Sequence, residues 1–94
     1  MVCKETLFSD HAVTQMFKRN ISVDEVKFVV GSGEIITVYL HDKPYPSYLV
    51  LSYVSGRPIH VLIGKDDKLE RCIIITAYEP DENIWVIGFK FKKN

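Results

Sequence analysis

Several features that mark specialised classes of protein are missing from this sequence of 94 residues. It has no apolar run of about eighteen residues and no secretory segment at its N-terminus, so we expect a soluble, cytoplasmic protein that does not contact membranes. Its 12 basic and 12 acidic residues leave no formal net charge. Any polyanion would therefore have to be bound by a local cluster of cations rather than by a global field.

Cysteine is also scarce, with only Cys3 and Cys72. Neither has a second Cys or a His at metal-ligand spacing, and the three histidines, His11, His41 and His60, show no such spacing either, so no zinc site or other metal is expected. Cys72 lies in an apolar run and is expected to be a buried thiol. A bridge to Cys3 is disfavoured because a reducing compartment keeps thiols reduced.

What the sequence contains is the balance of a globular protein, with 47% hydrophobic and 26% charged residues. Ninety-four residues are enough for one core and too few for two, so we expect a single domain over residues 1–94. No cofactor is indicated. Two local clusters of cations exist, Lys18 with Arg19, and Lys90 with Lys92 and Lys93.

Residues 8–21 predict a short amphipathic helix, with Ser9 as its N-cap and Asn20 as its end. One stripe of this helix is apolar and is suited to packing on a sheet; it consists of Ala12, Val13, Met16 and Phe17. The other stripe stacks an imidazole, an amide and two cations, from His11, Gln15, Lys18 and Arg19. A solvated polar face is the simpler interpretation of that stripe, and a chemical site is the alternative.

A second helix is predicted to follow immediately. Ser22 and Glu25 have the spacing of a capping box, valines 23, 26, 29 and 30 form an apolar stripe, and the glycines at 31 and 33 end the helix.

From residue 34 onward the pattern is typical of strands. β-Branched and aromatic runs predict strands over residues 34–40, 47–54, 59–63, 71–78 and 84–92, with a four-residue turn at 55–58. Residues 1–7 are expected to form a short lead-in, irregular or strand-like. The predicted fold is α+β, with two N-terminal helices packed on a twisted, mainly antiparallel sheet of four to five strands.

Alternation along these strands predicts which side chains share a face. His60 interrupts an apolar strand and falls on the face opposite Ile59, Val61 and Ile63. The neighbouring strand is expected to place Cys72, Ile74, Thr76 and Tyr78 on one face and Ile73, Ile75 and Ala77 on the other. A histidine on an apolar strand is either a buried side chain whose ring nitrogens are hydrogen-bonded or part of a functional site.

Three motifs in order resemble the bacterial and cyanobacterial domain-of-unknown-function family 4258. They are His11-Ala-x-x-Gln-Met-x-x-Arg-x-Ile-Ser22, Gly-Arg-Pro-Ile-His60-Val and Ile-Ile-Thr-Ala-Tyr78-Glu-Pro, and the resemblance covers about residues 8–85. The family in turn resembles the small ribonuclease toxins of the RelE/ParE and BrnT kind, which implies a RelE-like fold. Gln15 stands where the family usually has Arg, so Lys18 or Arg19 would have to supply the cation.

That resemblance implies a toxin of a toxin–antitoxin pair that cleaves mRNA without a metal. Such cleavage needs a base, an acid and a cation for the charge that develops on phosphate. His11, His60 and Tyr78 are the catalytic candidates, Lys18 and Arg19 the phosphate-binding ones, and RNA, including ribosome-bound mRNA, and an antitoxin protein are the expected partners.

A non-catalytic binding or protein-interaction module is the alternative, with His11, His60 and Tyr78 in a structural polar network. The C-terminal Lys and Phe residues are similarly open to two interpretations, a strand with one wet face or a contact for nucleic acid.

Overall fold

The computed structural model describes residues 1–94 as one five-stranded sheet with two helices. The elements are β1 (Glu5–Phe8), α1 (Asp10–Arg19), α2 (Val23–Ser32), β2 (Glu34–Tyr39), β3 (Ser47–Val54), β4 (Arg57–Asp66) and β5 (Arg71–Tyr78). The strands lie in the order β1-β5-β4-β3-β2. The α+β class is therefore confirmed. With ten residues each, α1 and α2 are too short for a membrane span.

Both helices begin and end at the residues that the sequence predicts. The Ser9 side chain accepts a hydrogen bond from the Ala12 amide at 3.0 Å, and Asn20 ends α1 in the left-handed conformation. Ser22 and Glu25 form the reciprocal capping box at the start of α2. Gly33 caps α2 where a Cβ atom would lie 2.5 Å from the Val50 side chain and 2.9 Å from the Leu51 carbonyl of β3, so only glycine allows this close approach to the sheet.

The hairpin of β3 and β4 is longer than its pattern predicts. Its turn consists of only Ser55 and Gly56, both at positive φ, rather than four residues. Arg57 and Pro58 therefore belong to β4, which pairs antiparallel with β3 from Val54↔Arg57 to Ser47↔Gly64. A two-residue turn with this geometry matches the twist of the strands that it joins.

The predicted lead-in contains the fifth strand. β1 pairs parallel with β5, from Glu5↔Arg71 to Phe8↔Ile74, so the sheet is mixed and the element order is βααββββ instead of ααβββββ. The parallel pairing is feasible because both helices and three strands intervene and carry the chain across the sheet. Four residues with alternating burial carry too weak a pattern to identify a strand alone.

The strand predicted over residues 84–92 is wrong. Residues 79–94, called here the C-terminal segment, form turns with one isolated bridge between Trp85 and Lys92. Gly88 and Phe89 both have positive φ, which reverses the chain in the middle of the predicted strand.

The hydrophobic core lies between the helices and one face of the sheet. α1 packs on β5 and α2 on β3 and β4, and the core includes Ala12, Met16, Val26, Val29, Val50, Ile59, Val61 and Ile63. The predicted faces of β4 are confirmed, but those of β5 are partly wrong. A bulge shifts the β4–β5 register between Leu62 and Ile63, so Ala77 faces the helices together with Cys72 and Ile74.

Cys3 and Cys72 form a disulfide across 69 positions of sequence, with Cα atoms 5.6 Å apart. The prediction of a free buried thiol is therefore wrong. Pairing of β1 with β5 places Thr6 beside Cys72 and so carries the residues just before β1 to that part of the sheet. This proximity depends on the pairing of β1 with β5, which the sequence pattern does not predict.

Candidate functional site

His60 is the only histidine in the interior, and its side chain is fully buried. It lies on β4 opposite Tyr78 of β5, on the face of the sheet that the helices do not cover. The C-terminal segment covers it there. The His60 Nδ1 atom lies 3.1 Å from the Tyr78 hydroxyl, and its Nε2 atom lies 2.8 Å from the Phe89 carbonyl oxygen.

The two contacts determine the tautomer of His60. A carbonyl oxygen can only accept a hydrogen bond, so Nε2 carries the proton and donates it to Phe89. Nδ1 of the neutral ring then accepts the hydroxyl proton of Tyr78. Both ring nitrogens are thereby used within the fold.

The indole of Trp85 closes the remaining side of the imidazole. The two rings meet edge to face with centroids 4.5 Å apart, and the Tyr78 ring stands similarly at 5.2 Å. Burial lowers the pKa of His60 from 6.5, while its bond to the Phe89 carbonyl acts in the opposite direction. The surroundings therefore favour a neutral imidazole.

Tyr78 connects this buried group to the surface. Burial raises the pKa of its phenol above 10, Tyr39 raises it further, and Arg19 lowers it. The Arg19 guanidinium carbon lies 6.0 Å from the centre of the Tyr78 ring, and its Nη1 donates to the Ala77 carbonyl at 2.9 Å. The last turn of α1 thus places Arg19, a predicted phosphate-binding residue, beside Tyr78, a predicted catalytic residue.

The other predicted site residues lie elsewhere. His11 and Lys18 are exposed on α1, and His41 is exposed in the loop after β2. Because α1 covers one face of the sheet and His60 lies on the other, the sheet separates the His11 and His60 rings. The structure therefore joins His60, Tyr78 and Arg19, and leaves His11 and Lys18 outside that group.

Arg57 is a polar anchor that the sequence pattern did not single out. Its Nη2 donates to the Asn20 carbonyl at 3.0 Å and contacts Glu25 at 3.2 Å, while its Nε lies 3.7 Å from Glu79. The pKa of Glu25 is lowered from 4.5, chiefly by its bond from the Ser22 amide and with help from Arg57. Arg57 lies inside the Gly-Arg-Pro motif, which the sequence shows. Its contacts with Asn20, Glu25 and Glu79 are seen only in the folded chain.

Trp85 and Phe89, which also contact His60, lie in the segment that the sequence pattern predicts to be a strand. The signal that could have corrected this is Gly88, since a glycine inside a strand pattern often marks a break. No group of three His, Cys, Asp or Glu side chains that could hold a metal ion is present.

Several surface cavities border the residues of this site, and two of them adjoin Tyr78 and Arg57. One of about 320 Å³ adjoins the buried group and is lined by Tyr39, Leu62, Tyr78 and Trp85 among others. A wider one of about 670 Å³ lies at the corner between the helices, beside Phe17 and Arg57. Both are open to solvent.

Comparison with known proteins identifies the family but no function. No curated protein and no solved structure matches the chain. The family described as a domain of unknown function, DUF4258, matches residues 8–79, which include Arg19, Arg57, His60 and Tyr78. Because the match spans well over half of the sequence, the chain belongs to the DUF4258 family.

Proposed function

We propose that this protein is a small non-catalytic protein-interaction module in which His60 and Tyr78 hold the C-terminal segment against the sheet. The observation that carries the proposal is that both nitrogens of the fully buried His60 are bonded inside the fold. A general acid or base needs a nitrogen that reaches its substrate directly or through one water. The buried imidazole instead gives the segment a fixed position.

The surface that this arrangement displays is apolar, with exposed charges of both signs around it, Glu82 and Lys93 among them. We call it the C-terminal patch; its apolar members are Ile84, Val86, Ile87 and Phe91, all exposed, with Ile87 at 100% and Phe91 at 72%. Lys90 is paired with Glu34, whereas Lys93 is exposed and in no ion pair. Apolar side chains grouped on a surface are typical of interaction sites, and the unpaired Lys93 favours a partner segment that carries a carboxylate beside its apolar residues.

The test of the module uses peptides selected from a random display library on the purified protein. We expect selected peptides to be rich in Asp, Glu and apolar residues, and to lose most of their affinity for an Ile87→Asp, Phe91→Asp variant. A Phe17→Asp variant is the matched control, because Phe17 is 89% exposed but lies on α1. Peptides that bind the patch variant as well as the wild type, or that bind only the Phe17 region, would refute the proposal.

A second candidate, the toxin of a toxin–antitoxin pair that acts as a metal-independent endoribonuclease, is favoured by the group of Arg19, Tyr78 and His60. A phenol that donates to an imidazole and lies beside a guanidinium could transfer a proton near a bound phosphate. In this candidate Arg19 and the neighbouring Lys18 bind RNA, Tyr78 is the proton-transfer group, and an antitoxin protein masks it.

One assay separates the two candidates. Purified protein is incubated with RNA in the presence of EDTA, as wild type and as Tyr78→Phe, His60→Ala and His11→Ala variants. The module predicts no cleavage above background from any of them. The ribonuclease predicts cleavage that Tyr78→Phe reduces by about a hundredfold or more while the variant stays folded. Growth arrest on induction, relieved by Tyr78→Phe, would support the same candidate in cells.

A further inference from the structure

The Cys3–Cys72 disulfide has one accessible end and one buried end. Cys72 is fully buried in the core on β5, whereas Cys3 is only half-buried, in the segment before β1. A reagent that approaches from solvent therefore meets the sulfur of Cys3 and not that of Cys72. This asymmetry makes Cys3 the position that an external thiol can attack.

A cleft of about 370 Å³ lies at the accessible end. Cys3 lines it together with the side chains of Lys4 and Lys27. Lys4 is paired with Glu70 at 2.9 Å, while Lys27 on α2 is exposed and takes part in no ion pair. The cleft thus offers at least one free cation to a small anion that enters beside Cys3.

The buried end has a cation of its own. The Lys65 ammonium lies 3.9 Å from the Cys72 sulfur and also donates to the Val2 carbonyl. Lys65 and Cys72 are cross-strand partners on β4 and β5, so the sheet itself maintains this pair. A positive charge at this position stabilises a thiolate on Cys72 and makes it the better leaving group.

We propose that the Cys3–Cys72 bridge is a thiol-exchange site for small anionic thiols, which bind in the cleft and attack Cys3. The thiol first loses its proton to solvent. Its thiolate forms a new S–S bond with Cys3 as the Cys3–Cys72 bond breaks, and the electron pair leaves on Cys72 as a thiolate beside Lys65. A second thiol molecule attacks the small-molecule sulfur of the mixed disulfide, which releases Cys3 as a thiolate. Two thiols are oxidised to one disulfide, and the protein is reduced by two electrons.

The exchange would release the covalent anchor of the N-terminal arm, residues 1–8. The arm would then be held only by non-covalent contacts: the β1–β5 ladder, the ion pairs Lys4–Glu70 and Glu5–Arg71, and the hydrogen bonds that the Met1 ammonium and the Val2 carbonyl make with Val30 and Lys65. The edge of β5 would become the most easily opened part of the sheet, because β1 has only four residues. The redox state of small thiols would thus control access to that edge.

The test compares two thiols of opposite charge on the purified, oxidised protein. Glutathione is the anionic probe and cysteamine the cationic one, and adducts are trapped by acid and mapped by peptide mass spectrometry. We expect the first adduct on Cys3 and not on Cys72. Lys27→Glu should slow the reaction with glutathione by about fivefold relative to cysteamine, and added salt should reduce that difference.

Lys93→Glu is the matched control, since it makes the same charge change on the C-terminal segment. It should leave the ratio of the two rates unchanged. Lys65→Gln should slow exchange with both thiols alike, because it acts on the leaving thiolate. Circular dichroism checks that each variant is folded. Adducts on Cys72, no exchange with either thiol, or equal effects of the Lys27 and Lys93 variants would overturn the proposal.

Discussion

Replacing His60 by Ala should detach the C-terminal segment while leaving the sheet folded. The substitution removes two hydrogen bonds, to Tyr78 and Phe89, each with a net worth of about 1 kcal/mol. It also removes the edge-to-face contact with Trp85, worth about 0.5–1.5 kcal/mol, and leaves a cavity. We therefore expect a loss of about 3–5 kcal/mol in the free energy of unfolding.

The fluorescence of Trp85 reports whether the C-terminal segment is detached. Trp85 is the only tryptophan, it is 6% exposed, and it packs on His60. In urea titrations of the His60→Ala variant, the Trp85 emission should already be shifted to the red at low urea, before the sheet unfolds by circular dichroism. His41→Ala is the control, because His41 is exposed in a loop.

A double-mutant cycle isolates the hydrogen bond between His60 and Tyr78. Tyr78→Phe alone should cost about 1–2 kcal/mol, since it leaves Nδ1 of His60 without a donor. Because both substitutions remove the same hydrogen bond, their combined cost should fall short of the sum by about 1 kcal/mol. A His60→Ala variant that loses less than about 1 kcal/mol and keeps the wild-type Trp85 emission would refute the structural role.

Three further predictions concern pH, the disulfide and the helix corner. The pKa of His60 is lowered from 6.5 in the folded state, so the unfolded state binds the proton first, and stability should fall as the pH drops below 6.5, by at most about 1.4 kcal/mol per unit. A His60→Gln variant should lack this part of the pH dependence in unfolding titrations at pH 5–8, and an unchanged profile would contradict the assignment. Replacing Cys3 by Ser should cost about 4 kcal/mol, since the bridge closes a loop of 69 positions, and chemical denaturation of the wild type with reductant should give the same loss. Arg57→Ala should cost about 1–2 kcal/mol and couple to Glu25→Ala by about 0.5–1 kcal/mol in a double-mutant cycle, whereas additive effects would mean that the two residues act independently.

Local signals were sufficient for most of the elements. Ser9, Ser22 and Asn20 mark helix ends because their side chains or backbone satisfy groups only a few residues away. Strands β3 and β5 have the predicted bounds, since long β-branched runs between turn residues carry a strong pattern. The family was likewise recognisable from three short motifs.

The candidate site was only partly predictable. His60 and Tyr78 were expected on neighbouring strands, and the register places them directly opposite one another. The sequence did not predict that Trp85 and Phe89 contact His60. Aromatic residues and lysines alternate in this segment as they would in a strand, although the chain reverses at Gly88. Whether the catalytic candidates His11 and His60 lie together also depends on which face of the sheet α1 covers, and that is a property of packing.

By itself, the sequence determined the two helices, the strands of the central meander and the apolar face on which the helices pack, since each of these depends on spacing within about ten residues. Only the tertiary structure decided that residues 5–8 form a parallel edge strand, that Cys3 meets Cys72, and that the C-terminal segment folds over His60. The bond from His60 to Phe89 joins residues 29 positions apart and the disulfide joins residues 69 positions apart, and the free energy that selects such contacts comes from burial and hydrogen bonding in the assembled sheet.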